Sequence, residues 1–441
     1  MATLRRTVGP FQLTLYGLGS MLGSGIYGLI GQAAGQTGNA VWLAFLVAMV
    51  AALLTALSYA SLGSRYPRAG GAAYVTERAF GMPLLSFVVG LAVVCSGLTS
   101  IATQSQVFAV NLAALIGLPL LPVWAIAIGL LLIITGLVLR GIRESMWVNV
   151  VCTVIEATGL VLVIAVGIPF WGSVDLLETP AGIGGDGILV LVIQGAVLTF
   201  FAFIGFEDTL NVAEECRDPQ RTIPLALVSA MFLGALIYVA VAITAVSVVP
   251  WQELADAPAP LAEVMARAAP AFPALVLTGI TLFAVGNTAL VNYVTSSRMV
   301  YGMASQGLLP KALSEVHPRT QTPHMATLVL LVVLLPLAFF GSIAELASAT
   351  VLMLLLVFAI VNGALFLLQG RKDEARGKFE VPRWVPALGA LVCIGLIAVR
   401  VSTGDWRAPA LAGAMLAGIV ALHIGLRWLA LLRSPRGSRD P

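Results

Sequence analysis

The chain has 441 residues, of which 59% are hydrophobic and only 10% charged. Water-soluble domains carry about a quarter charged residues, so this composition excludes a soluble globular protein. The net charge of +3 is a topology signal and gives no reason to invoke nucleic acid as a partner.

A helix needs about 20 mostly apolar residues to cross a hydrocarbon core of about 30 Å. Roughly twelve such runs are predicted, centred near residues 23, 51, 97, 131, 158, 200, 236, 287, 332, 356, 392 and 417. The longest connections fall near 251–270, 305–325 and 370–385. Residues 1–441 therefore read as one polytopic membrane domain in a lipid bilayer. The N-terminal run is too long and too rich in glycine for a signal-peptide core. With the N-terminus inside, only Arg267, Arg400 and Arg407 fall in outer loops. Such a bias follows the positive-inside rule and predicts a multi-pass protein with both termini cytoplasmic. All eight tryptophans fall at or near predicted span ends, where an indole suits the headgroup boundary. The four cysteines are scattered without a C-x-x-C, so neither a disulfide framework nor a metal site is expected.

The first span holds GSMLGSGIYGLIG (residues 19–31), in which Gly23-Ser24-Gly25-Ile26-Tyr27-Gly28 spells G-x-G-x-x-G. A dinucleotide fingerprint needs a strand before it, a helix after it and an acidic residue about 20 positions on. Here the run is apolar throughout, and no Asp or Glu occurs between Met1 and Tyr66. Two readings remain. Gly19–Gly23 and Gly31–Gly35 fit close helix packing of the G-x-x-x-G kind. Gly23-Ser24-Gly25 also makes unwinding cheap, since each glycine costs about 1 kcal/mol relative to alanine inside a helix.

Span five, ESMWVNVVCTVIEATGLVLVI (144–164), places Glu156 about eleven residues past its start. At 1.5 Å per residue that is about 16 Å deep, near the bilayer midplane. Desolvation favours the neutral acid there. Three roles stay open: a group coupling transport to protons, a structural acid bonded to an unwound carbonyl of span one, or a ligand for sodium.

Span six, residues 188–213, centres on Phe200-Phe201-Ala202-Phe203-Ile204-Gly205-Phe206, followed at once by Glu207 and Asp208. Two carboxyls at that depth must face protein or water. Five spans separate the two interruptions, an odd offset that gives the halves opposite orientations. Paired discontinuous helices of this kind mark an inverted-repeat secondary transporter. Backbone N–H groups from Gly23 to Ile26, with the Ser24 hydroxyl, suit a carboxylate. Carbonyls ending the first halves, near Met21 and Phe201, suit an ammonium. Such a pocket fits a zwitterionic α-amino acid, with Phe201 and Phe203 as apolar walls. Glu207 and Asp208 could bond the broken backbone, titrate during the cycle, or meet the amine of a cationic substrate.

Four fragments carry a resemblance: GSGIYGLIG in span one, YASLGSRYPRAGGAAYVTERAFG (59–81), FFAFIGFEDTLNVAEECRDPQRTIP (200–224) and SSRMVYGMASQGLLPKALSEVHPRTQTP (296–323). Over nearly its whole length the chain resembles the amino acid–polyamine–organocation superfamily, whose fold is that of the leucine transporter. The resemblance implies an all-α integral membrane protein of twelve transmembrane helices. These form a 5+5 inverted repeat (about 11–170 and 188–369) with helices 1 and 6 broken, plus two C-terminal helices (about 385–433). It further implies alternating-access transport of amino acids or related amines, and a bacterial inner membrane. By motif position, substrate contacts carry over to Gly23, Ser24, Gly25 and Ile26, and the aromatic gate with its neighbours to Phe201, Ala202, Phe203 and Ile204. Two departures stand out. Tyr59-Ala60-Ser61-Leu62 replaces the usual Tyr-Ala-Glu-Leu, and Glu156 stands where some proton-coupled relatives carry a lysine.

The function expected is a permease for amino acids, coupled to protons through Glu156, Glu207 and Asp208, with sodium the alternative ion. A polyamine or organic-cation carrier and an amino acid exchanger are the nearest alternatives. No Ser–His pair, G-x-G-D pair or H-E-x-x-H zinc motif occurs, so neither catalytic residues, a cofactor nor a resident metal is expected.

Overall fold

A computed structural model describes residues 4–116, 122–180, 187–257, 259–337, 344–402 and 406–433. Nearly all of it is helical, as an apolar chain that must satisfy its own backbone polar groups requires. Among the described residues, ten helices are long and apolar enough to cross a membrane.

The first helix comes in two pieces. α1 (Pro10–Leu22) starts on a proline, whose missing N–H costs nothing at a first-turn position, and it stops at Gly23. There φ is −41° and ψ −157°, outside the helical basin, and α2 (Ser24–Thr37) resumes at the next residue. α3 (Val41–Arg65) returns across the bundle, and the short α4 (Gly71–Phe80) lies beyond its end. α5 (Pro83–Ile116), α6 (Val123–Arg140) and α7 (Ile142–Gly167) follow, the last two parted by Gly141 at φ +150°.

The second interruption repeats the first. α8 (Ile188–Thr199) tightens into a 3₁₀ turn over Phe200–Phe203. The chain then runs extended through Ile204 and passes Gly205 at φ +122° before the short α9 (Asp208–Asn211). That φ is open to glycine and strained for other residues. Beyond it lie α10 (Pro219–Val248), the two short helices α11 (Trp251–Asp256) and α12 (Pro260–Ala268), and the 32-residue α13 (Ala274–Ser305). α14 (His324–Leu337), α15 (Ala344–Gly370), α16 (Trp384–Ser402) and α17 (Arg407–Arg433) complete the described chain.

α13 packs along α5, α10 packs along α3, and α1 is enclosed by α10, α7 and α13. Both readings of the glycines in the first span hold together. A Cβ at Gly19 would collide with Thr153 and Asn287, and one at Gly31 with the Leu254 carbonyl, while the helix is interrupted at Gly23 between them. On the outside, Ile133, Phe232 and Leu236 are 70%, 68% and 59% exposed, as a surface facing lipid tails requires.

At the end of the bundle where α1 begins, the segment between α15 and α16 straps the other helices together. Arg65 grips Glu380 through Nε at 2.7 Å and Nη2 at 2.5 Å. Glu374 accepts the Tyr66 hydroxyl at 2.6 Å and pairs with Arg78 at 3.1 Å. Burial, then the bond to Glu374, pushes the Tyr66 phenol up to about 12. Burial works to raise the Glu374 carboxyl, but Tyr66, Arg78 and Arg371 together prevail and hold it below its ordinary value.

Candidate functional site

The two interruptions meet. Gly25, in the first turn of α2, brings its Cα side against Ala202, with an ideal Cβ 3.4 Å from the Ala202 Cα. A Cβ on Gly205 would stand 2.9 Å from the Ser20 backbone. Glycine at these positions lets two irregular backbones approach to van der Waals contact, where protein rather than lipid surrounds their free polar groups.

Between them lies a cavity of about 110 Å³. From the first helix, Ser20, Met21, Gly23 and Gly25 line it; from the second interruption, Phe201, Ile204, Gly205, Glu207 and Asp208 do. α5 contributes Ser96, Ser100, Thr103 and Gln104, α13 adds Thr288 and Asn292, and Val351 and Leu354 of α15 close the apolar side. Among the described residues, no lining residue is basic. The ionisable groups that those residues bring to the wall are the carboxyls of Glu207 and Asp208, each 5% exposed.

Neutral donors hold those carboxyls. Ser20 Oγ donates to Asp208 Oδ2 at 2.5 Å, and the Gly205 N–H donates to Glu207 Oε2 at 2.8 Å. Thr295 lies within electrostatic reach of Asp208, and its hydroxyl is 2.8 Å from that of Tyr16. A polar chain therefore runs from the cavity wall along α1 and α13. Farther along α13, Arg298 pairs with Glu215 through Nε at 3.1 Å and Nη2 at 3.0 Å, both side chains fully buried.

The structure sorts the predicted site residues. Gly23, Gly25, Phe201, Ile204, Glu207 and Asp208 come together at the cavity. Ile26 is fully buried in the helix core and does not line it. Ala202 and Phe203 also lie off the cavity. Phe203 is no pocket wall, because its ring turns edge-on to Tyr238 with centroids 5.2 Å apart. In a 3₁₀ turn of three residues per turn, neighbouring side chains point about 120° apart, so Phe201 and Phe203 cannot share one face. The Ser24 side chain lies outside the described residues, although its backbone opens α2.

The carbonyls assigned to an ammonium are already engaged. The Tyr238 hydroxyl lies 2.6 Å from the Met21 oxygen and 2.9 Å from that of Ala202, and Phe201 O accepts the Ile204 N–H at 3.1 Å. α10 supplies this tyrosine from far along the chain, which a reading of span one could not anticipate. The carboxyls of Glu207 and Asp208, by contrast, line the cavity.

Glu156 sits away from the cavity wall. It is fully buried, and neither carboxyl oxygen has a hydrogen-bond partner. It lies within electrostatic reach of Tyr27, Tyr238 and Cys152, and the Tyr27 hydroxyl is likewise buried without a partner. The structural role foreseen for Glu156, a bond to an unwound carbonyl of the first helix, is not formed. Nearby, Asn149, Thr153 and Asn287 bond one another at 3.0 to 3.4 Å beside Gly19.

The sequence reading missed the polar stripe of α5. Its signal was present: Ser96, Ser100, Thr103 and Gln104 recur at i, i+4, i+7 and i+8, one face of a helix inside an apolar span.

Comparison with known proteins agrees with this architecture. The sequence profile of the amino acid permease family matches residues 8–406. Cationic amino acid transporter 4 of Mus musculus is 30% identical over 84% of this chain and 61% of its own length. The branched-chain amino acid permease BcaP of Bacillus subtilis (strain 168) is 28% identical, over 90% of this chain and 88% of its own. The methylthioribose transporter of the same organism is 29% identical, over 89% and 88%. The match thus spans about three-fifths of the mouse protein and most of both bacterial ones. A multi-pass helical membrane protein with a small polar cavity at two interrupted helices, matched along nearly its whole length, belongs to the amino acid permease family of transporters and is not an enzyme.

Proposed function

We propose that the chain carries an amino acid or a related amine across the membrane by alternating access, with the amine against Glu207 and Asp208 and the carboxylate at the start of α2. One observation carries this reading. Two buried carboxyls, and no basic group, line a cavity bounded by both helix interruptions. The first N–H groups of a helix lack intrahelical partners and attract anions, so the start of α2, which reaches the cavity at Gly25, offers the complementary end. Phe201 and Val351 line both this cavity and a larger one, of about 870 Å³, that also meets Gln32, Gln36 and Arg400. A ring in that position serves as the gate between them.

The same proposal takes the chain as twelve transmembrane helices, a 5+5 inverted repeat plus two, in a bacterial inner membrane with cytoplasmic termini. Glu156 serves as the coupling group. An ionised carboxylate without a donor is costly to bury, so Glu156 is held neutral here and releases its proton when rearrangement brings water or a partner. A proton is the ion favoured, because a carboxyl that can lose its charge by protonation suits a site where neither of its oxygens has a hydrogen-bond partner.

Uptake into proteoliposomes across a panel of amino acids, with and without a proton gradient, tests the proposal. Saturable amino acid uptake driven by the gradient is expected, and its absence for every amino acid would overturn it. The paired carboxyls specifically favour a second reading, a polyamine or other organic cation as cargo. Uptake of diamines but not of amino acids by the same vesicles selects that reading.

A further inference from the structure

A third cavity, of about 360 Å³, opens at the foot of α1. Arg5, Arg143 and Arg217 line it, with Thr7, Gly9 and Trp147 between them. Three chain segments far apart in sequence are needed to assemble it. Residues 7 and 8 donate backbone N–H bonds to the Glu215 carbonyl at 2.9 and 3.0 Å, and the Arg217 N–H returns one to Val8 at 2.9 Å. That isolated parallel bridge, anchored by the buried Leu4 and Val8, fixes the N-terminal arm beside the segment carrying Arg217. The first two turns of α7 bring Arg143 and Trp147 to the same opening.

The charge in this cavity is unanswered. None of the three arginines forms an ion pair with a described residue. Nearby acids are occupied elsewhere: Glu215 with Arg298, Asp218 with Arg221 at 3.8 Å and Lys378 at 3.5 Å. Glu144, exposed on α7, sits towards Gly141. The Thr7 hydroxyl oxygen is buried without a hydrogen-bond partner. The cavity also faces the beginnings of α1 and α7, whose first-turn N–H groups favour anions.

We propose that this cavity binds the phosphate of an anionic phospholipid headgroup. Guanidinium forks match phosphate oxygens in pairs, and Thr7 supplies a hydroxyl donor to a remaining oxygen. A lipid is favoured over a soluble phosphate by Trp147, 56% exposed at the rim, where an indole marks the interface between tails and headgroups. Bound there, one headgroup ties the N-terminal arm, the foot of α1 and the start of α7 together. Binding itself does not depend on the carrier reading; only an effect on transport rate does.

Lipid retention by the purified full-length protein, read by native mass spectrometry, tests the proposal with phosphatidylglycerol, phosphatidylcholine and inorganic phosphate as separate probes. Wild type should retain phosphatidylglycerol and release phosphatidylcholine. Each basic side chain near an anionic surface changes binding about five-fold, so Arg5→Gln, Arg143→Gln and Arg217→Gln together should weaken retention roughly a hundred-fold. Removing three exposed basic residues elsewhere (Lys311→Gln, Arg319→Gln, Arg376→Gln) should leave it unchanged. Equal phosphatidylglycerol retention by the triple variant and wild type overturns the site. Arginine-dependent binding of inorganic phosphate, with lipid retention unaffected, overturns the lipid as its source. Should the triple variant fail to fold, Gly9→Asp replaces it. A Cβ at Gly9 meets nothing within 4 Å, aspartate is a favoured helix cap, and its charge repels phosphate. Undiminished retention in that variant also overturns the proposal.

Discussion

Glu215 and Glu156 are equally buried in one bundle but keep opposite company. Glu215 is gripped at both oxygens by Arg298, whereas Glu156 has no hydrogen-bond partner at either. Glu207 and Asp208 fall between, each held by a neutral donor. A carboxylate already matched by a guanidinium has nothing left to offer a passing solute and acts as structure. Carboxyls bonded only by hydroxyls and N–H groups still attract a cation, and a carboxyl with no partner must change either its protonation or its surroundings. The three degrees of pairing match the roles proposed above: scaffold for Glu215, cargo site for Glu207 and Asp208, and coupling group for Glu156.

Breaking the scaffold pair should have the largest effect. Arg298→Met leaves Glu215 in the interior without its partner and should cost about 3–5 kcal/mol, seen as a large fall in thermal midpoint in detergent. Adding Glu215→Leu should recover much of it; a single variant as stable as wild type would erase the contrast with Glu156. Next comes Gly205→Val, which forces a branched residue to φ +122° against the Ser20 backbone and should cost about 1–3 kcal/mol from strain alone. Transport should fall with it.

Asp208→Asn should be milder for folding, about 1 kcal/mol, yet should abolish uptake of amine-bearing substrates. Wild-type uptake by a folded Asp208→Asn protein would remove Asp208 from the cargo site. Glu156→Gln should change stability by less than about 1 kcal/mol, since no bond is lost, and should flatten the pH profile of transport. An unchanged profile would return Glu156 to the scaffold.

The smallest effect belongs to the strap. Glu374 is held below its ordinary value by Tyr66, Arg78 and Arg371. Its contribution is therefore complete at neutral pH and lost as acid brings the solution down through the lowered folded-state value. Glu374→Gln should cost at most about 1 kcal/mol and remove that acid-dependent part of the thermal midpoint.

Much of this was legible in the residues. Glycine clusters and paired acids inside apolar runs located both interruptions, because unwinding and buried charge leave marks on composition. What could not be read was direction. Phe201 and Phe203 look alike in the sequence, and only the tight turn from Phe200 to Phe203 sends one ring to the cavity and the other to Tyr238. The polar stripe of α5 was visible as a pattern, but its target depends on how α5 packs along α13. Tyr238 lies 36 residues from Ala202 and 217 from Met21, a meeting that no local pattern announces.

That tyrosine has a mechanical consequence. Its single phenolic proton is shared between the oxygens of two hinges, so the hinges behave as one joint. Moving either segment away costs its own carbonyl this donor and leaves the whole proton to the other, so the bonding of each interruption depends on the position of its counterpart. Under the alternating access proposed above, such a tie favours joint movement of the two broken helices.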